Sequence, residues 1–276
     1  MIVAGMRSYF VSRLVRIIYL FGVCCAVFGV HPVSAAQNAE TVSSKVKIAF
    51  AGDSTADGLW GGATSVLARQ TCLKSAFELG RFGKNGTGLT RPDKYDWPKE
   101  TANIASNFKP DLFVISLGLN DRQPIVDPAS GGGRHVTLYE SPEWTARYKD
   151  HVIAVLRSAA AAKVPVLWVG LAAMREQATN LDVQQKNNIF ADAIANIGVS
   201  NIKFVPAWRL NEAGEDVFTS YAPGKNGKMI HIRTSDGEHF TSEGDEIVAG
   251  YILPKILATL KEAGVGVKAS CQIASE

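Results

Sequence analysis

Acidic residues are missing from the first 36 positions of this 276-residue chain, while Arg7, Arg13 and Arg16 are present. An uncharged apolar run follows at residues 17–30, but its 14 residues fall short of the ~20 needed to span a bilayer. The small residues Val33-Ser34-Ala35-Ala36 close the segment. A basic start, a short apolar middle and a small-residue end predict a secretory signal peptide over residues 1–36, cut after Ala35 or Ala36. The expected address is periplasmic or secreted, with membrane attachment only if the leader stays uncleaved. Val23 stands before Cys24-Cys25 where lipid attachment would favour a small residue, which argues against a lipidated N-terminus.

Cysteine is scarce, and half of it lies in the leader. Cys72 and Cys271 remain, and in an oxidising compartment they form either a disulfide or two separate thiols. Spacing does not decide between these, because a bridge demands a particular geometry. An excess of positive charge is also lacking. Without the leader, 26 basic residues face 26 acidic ones, so nothing implies a basic surface and nucleic acid is not an expected partner. Residues 37–44 read as a polar linker and 45–276 as one domain, long enough for a sizeable core.

Several motifs are absent too. No Gly-x-Ser-x-Gly elbow occurs, which disfavours the α/β-hydrolase fold. No phosphate loop is present, and Gly86-Thr87-Gly88 has Arg91 where a dinucleotide loop needs its third glycine. No His-Glu-x-x-His occurs, and no clustered ligand accompanies Asp236 and His239, so neither a metal nor a cofactor is expected. His135, His151 and His231 read as surface or packing residues. No internal repeat is found, and the only low-complexity tract is Gly131-Gly132-Gly133.

What is present is alternation. Val46, Ile48 and Phe50 alternate with Lys47 and Ala49, a strand pattern that runs into Gly52-Asp53-Ser54. Helices are expected at residues 59–72, 98–108, 144–162, 183–197 and 243–263, the last kinked at Pro254. Further strands are expected at 76–82, 112–117, 165–170 and 202–205. Residues 122–141 form a mostly polar stretch too long for a simple connection, either a lid or disordered. Strands alternating with helices predict a three-layer, doubly wound, mainly parallel α/β sheet of the flavodoxin-like kind. Sites in such sheets form beyond the carboxyl ends of the strands, where Ser54 and Asn120 fall.

Taken alone, Gly52-Asp53-Ser54 also suits an ordinary strand-to-helix turn with a helix cap. Other residues supply what a nucleophilic serine lacks. In Ser235-Asp236-Gly237-Glu238-His239, a carboxylate stands three positions before an imidazole it would hold in one tautomer. Asn120 offers a side-chain amide at a strand end, and Gly88 an unobstructed N–H.

These blocks resemble those of the SGNH (GDSL-type) hydrolases: Gly-Asp-Ser after the first strand, a loop glycine, Gly118-Leu119-Asn120-Asp121, and Asp236-Gly237-Glu238-His239, in the family's order. The sequence looks closest to exported bacterial members of poorly defined substrate. The resemblance implies Ser54 as nucleophile, His239 as base and Asp236 as its orienter, with Ser54, Gly88 and Asn120 forming an oxyanion hole. Gly86, two positions away, competes with Gly88 for that place. Thr55 departs from the family's Gly-Asp-Ser-Leu and argues against lipase-like habits. The function implied is an exported serine esterase acting on acyl esters, acetyl foremost, of envelope or extracellular polysaccharide. Transfer of the acyl group to a glycan hydroxyl by the same residues is the alternative, and a non-catalytic glycan-binding module is a third.

Overall fold

The computed structural model describes residues 45–206, 217–224 and 226–268. Five strands, β1 (Val46–Gly52), β2 (Phe77–Gly83), β3 (Leu112–Ser116), β6 (Val166–Val169) and β7 (Ile202–Val205), form one sheet in the order β2-β1-β3-β6-β7. Every pairing in it is parallel, as the runs of apolar residues predict. The period of two sorts β1 between the faces. Ile48 and Phe50 pack with Leu112, Val114 and Leu167 against α1 (Ser54–Ala68) and α5 (Ser242–Glu262). Ala49 and Ala51 turn to the other face, which α2 (Trp97–Asn107), α3 (Pro142–Ala161) and α4 (Gln177–Ile197) cover through Ile104, Leu156 and Phe190. Each large side chain so buried contributes about 1.5–3 kcal/mol. The result is the predicted three-layer α/β fold.

The sheet order reverses at β1, since β2 lies on one side of it and β3 on the other. A crevice opens at such a reversal, beyond the carboxyl ends of the two strands. Ser54 and Asn120 stand there.

Three parts of the chain differ from expectation. Helix α1 begins at Ser54, not residue 59, because Asp53 caps it. Two of its glycines, Gly58 and Gly62, costly in a helix by about 1 kcal/mol each, face α5: a Cβ on Gly62 would lie 2.2 Å from the Asp245 carbonyl oxygen. They let the two helices cross closely. Helix α4 begins six residues before the expected 183, where the Glu176 carboxylate accepts from the N–H groups of Ala178 and Thr179. Most of the stretch expected as lid or disorder is a β-hairpin, β4 (Ile125–Pro128) with β5 (Arg134–Thr137). Asp127 anchors it to α3 through Arg147 at 2.7 Å and His151 at 2.9 Å. Helix α5 spans nearly the expected residues and holds Pro254 inside it. The carbonyl left without a donor there, on Gly250, belongs to an exposed residue that water can serve.

A second hairpin, β8 (Tyr221–Pro223) with β9 (Met229–His231), precedes the Asp236 loop and was not expected from the sequence. Cys72 is disulfide-bonded; Cys271, the partner considered for it, lies outside the described residues, as do the leader and linker. Among the described residues, no helix is long and apolar enough to cross a membrane.

Candidate active site

The end of β1 is set by a close approach. Gly52 adopts φ +146°, and a Cβ there would lie 1.7 Å from the Ser116 carbonyl oxygen on β3. Only glycine fits. Asp53 follows, fully buried, and its carboxylate accepts from Thr55 N (2.9 Å), Thr55 Oγ1 (2.7 Å), Gly118 N (2.8 Å) and Leu119 N (2.9 Å). It caps α1 and ties the Ser54 turn to the segment after β3. Burial pushes this carboxyl above its ordinary range, against the pull of those four donors. Ser54 is thus the first helical residue, where its N–H has no intrahelical acceptor.

The Ser54 hydroxyl lies 2.7 Å from His239 Nε2, across 185 residues of sequence. On the far side of the ring, His239 Nδ1 lies 2.8 Å from Asp236 Oδ2. Asp236 Oδ1 accepts from the N–H groups of Glu238 (2.8 Å) and His239 (3.0 Å) and from the Thr234 hydroxyl (2.5 Å). Burial works against its charge, but the bonds from Thr234, Glu238 and His239 prevail and hold it well below the usual carboxylate range. The loop is folded around Arg233, which is 2% exposed. This guanidinium donates to the carbonyls of Ala173, Gly237 and Glu238 and lies 4.3 Å from the Phe240 ring centre. Burial lowers it to about 10.

A second buried carboxylate organises the other edge. Asp121 accepts from Leu89 N (2.9 Å), Thr90 N (3.0 Å), Thr90 Oγ1 (2.7 Å) and the Tyr148 hydroxyl (2.9 Å). Tyr148 is itself stacked on Trp144, with ring centres 4.6 Å apart. A Cβ on Gly88 would lie 2.0 Å from Asp121 Oδ1, so the loop approaches this closely only with glycine at 88. Gly86 meets nothing within 4 Å and serves the turn. The Asn120 amide donates to the Thr87 carbonyl at 2.8 Å, which leaves its second hydrogen available. All five residues singled out from sequence therefore stand at the carboxyl edge of β1 and β3. Ser54, His239 and Asp236 are joined by hydrogen bonds. Gly88 and Asn120 are joined to each other through Thr87 and Asp121.

Beside Ser54 and His239 opens a cavity of about 70 Å³. Leu59, Val169, Leu171, Met174, Phe240 and Val248 give it largely apolar walls, and Asp245 places a carboxyl among them. Sequence reasoning missed Asp245, whose only signal is its place one turn into α5. It also gave Asp121 no role of its own, because its partners lie in segments remote in the chain.

The fold and this edge define the class: a three-layer α/β protein with the SGNH-hydrolase fold. Residues 47–255 match the family described as "Protein of unknown function (DUF459)", and the chain belongs to that family. Comparison with curated sequences finds no match. Among solved structures, the chain is similar to a carbohydrate esterase family 3 protein from Talaromyces cellulolyticus, at 16% identity and TM-score 0.53, covering 79% of this chain and 99% of that one. It is similar also to the acetyl xylan esterase AlAXEase, at 20% identity and TM-score 0.53, covering 76% and 100%. An acetyl esterase mutant with acetate ion matches at 16% identity and TM-score 0.52, covering 79% and 99%.

Proposed function

We propose that this chain is an exported serine esterase that cleaves short acyl esters, acetyl foremost, from envelope or extracellular glycans. The observation that carries the proposal is the unbroken line from Ser54 through His239 to Asp236, at 2.7 and 2.8 Å, beside a small apolar-walled cavity. In this mechanism His239 Nε2 takes the hydroxyl proton as Ser54 Oγ attacks the ester carbonyl. Asp236 holds the ring in the tautomer with a proton on Nδ1 and stabilises the imidazolium. The carbonyl oxygen gains negative charge and is held by N–H groups of Ser54, Gly88 and Asn120. As the tetrahedral species collapses, His239 returns the proton to the leaving alcohol, and the acyl group stays on Ser54. Water then attacks under the same base, and the acid departs.

The acetyl esterases among the structural relatives support the reading at the level of fold. Ser54→Ala should abolish hydrolysis of a chromogenic acetate ester; activity retained by that variant would refute the assignment. An acetylated glycan as donor extends the test to the natural chemistry. Acetate release without acetylation of an added sugar distinguishes hydrolysis from acyl transfer.

A further inference from the structure

Of the polar side chains that border the cavity, the mechanism uses Ser54 and His239; Thr55 and Ser116 bond each other through their hydroxyls, and Glu238 and Asp245 are left without a role. Asp245 lies one turn into α5, and its carboxyl borders the same cavity as Ser54 and His239. Among the described residues, no donor reaches either oxygen. Asp245 is half-buried, so its carboxyl gives up part of its water without a replacement.

Its seat is built. A Cβ on Gly58 would lie 2.5 Å from Asp245 Oδ1, so the carboxyl rests against the bare backbone of α1. The α5 backbone at Asp245 is itself pressed on Gly62, one turn along. The carboxyl is thus held between two helices, with the cavity on its open side. Around it the wall is largely apolar: Leu59 from α1, Val248 from α5, Val169 at the end of β6, and Leu171 and Met174 after it.

From this geometry we infer that Asp245 closes the acyl pocket of Ser54 and restricts it to short, uncharged acyl groups. The inference rests on the esterase reading and deepens it. A cavity of about 70 Å³ takes a few heavy atoms. A longer alkyl chain would have to press its methylenes onto a carboxyl, taking away water and giving no hydrogen bond in return. A chain ending in its own carboxylate would meet like charge. Asp57 on α1 adds to that charge, whereas His239 and Arg233 oppose it; burial, the largest influence, raises Asp245 to about 7. Glu238 also borders the cavity. Above neutral pH the wall therefore carries a negative charge.

The test compares the wild type with Asp245→Ala and Asp245→Asn on p-nitrophenyl acetate, butyrate, hexanoate and hemisuccinate, at pH 8. The wild type should favour acetate over hexanoate by more than about tenfold in kcat/KM, the scale of discrimination for methylenes that do not fit. Asp245→Ala, which opens space, should cut that ratio at least about tenfold. Asp245→Asn keeps the size and removes the charge, so it should keep most of the chain-length preference and raise relative activity on hemisuccinate. Labelling of Ser54 by a fluorophosphonate shows which variants retain a formed site. If a labelled Asp245→Ala protein has the wild-type acetate-to-hexanoate ratio, or if Asp245→Asn leaves the hemisuccinate-to-acetate ratio unchanged, the inference falls while the esterase reading stands. A wild-type protein that neither hydrolyses any ester nor is labelled overturns both.

Discussion

Two side chains at the site carry carboxyls of opposite tendency, and their pH behaviour differs accordingly. Asp236 is held below the usual range, so its contribution to folding is complete above the unfolded value near 4 and is lost only at pH below that. Asp236→Asn should leave the fold intact and lower kcat by about 10³–10⁴, because the imidazole loses the partner that fixes its tautomer; steady-state kinetics check this. Asp245 runs the other way. It is raised from 3.8 to about 7, so the folded chain binds a proton that the unfolded chain has released between those values. Stability from this residue falls as pH rises through that window and stays low above it. Asp245→Asn should therefore raise the melting temperature at pH 8, by the equivalent of about 1–3 kcal/mol, and change little at pH 4. Thermal scans at the two pH values give the sign directly. Removing the Asn120 amide by Asn120→Ala should cost about 10²–10³ in kcat with little change in KM, as expected for a donor used mainly in the transition state.

At the scale of elements, the α1–α5 crossing sets the width of the site. Gly62→Ala puts a methyl group 2.2 Å from the Asp245 carbonyl, so α5 must move, at a cost of about 1–3 kcal/mol. Denaturant unfolding should show the lower midpoint, and the shift should move Asp245 and His239 away from Ser54. Elements also show how far the sequence can be read. The strands of the sheet were legible because parallel strands buried on both faces leave apolar runs such as Leu112–Ser116, of which every residue is buried. Ser54, His239 and Asp236 were legible because short blocks carry them. The start of α1 was not, since Gly58, Gly61 and Gly62 lower its propensity and the reason for two of them lies on α5, some 180 residues away. The β4–β5 hairpin was hidden by Arg134 and His135, which are exposed on a two-stranded ribbon and leave no apolar run. Asp245 had no local signal beyond its place in the first turn of α5, because its meaning depends on a cavity that only the assembled chain encloses.

For the domain as a whole, two of the buried carboxylates join segments that are far apart in sequence: Asp53 links residues 53–55 to 118–119, and Asp121 links 121 to 89–90 and Tyr148. The site therefore forms only with the sheet. In urea, loss of fluorophosphonate labelling at Ser54 should coincide with loss of far-UV circular dichroism, in one transition with one midpoint. A site that failed well before the fold would count against this coupling. The same stitching says where divergence has room. The loops that carry Gly88 and Asn120 cannot drift independently, since a change in one strains a carboxylate shared with the other. In the wall formed by Val169–Met174 and the first turns of α5, no carboxylate is shared in this way, and of the side chains there that line the cavity only Met174 is tied to another segment, its Sδ lying 3.5 Å from Arg233 Nη2. Relatives that keep this chemistry but choose other acyl groups should thus vary along that wall, at Leu171, Met174, Asp245 and Val248, while the stitched edge stays fixed. A library confined to those four positions would reach new substrates without rebuilding the catalyst.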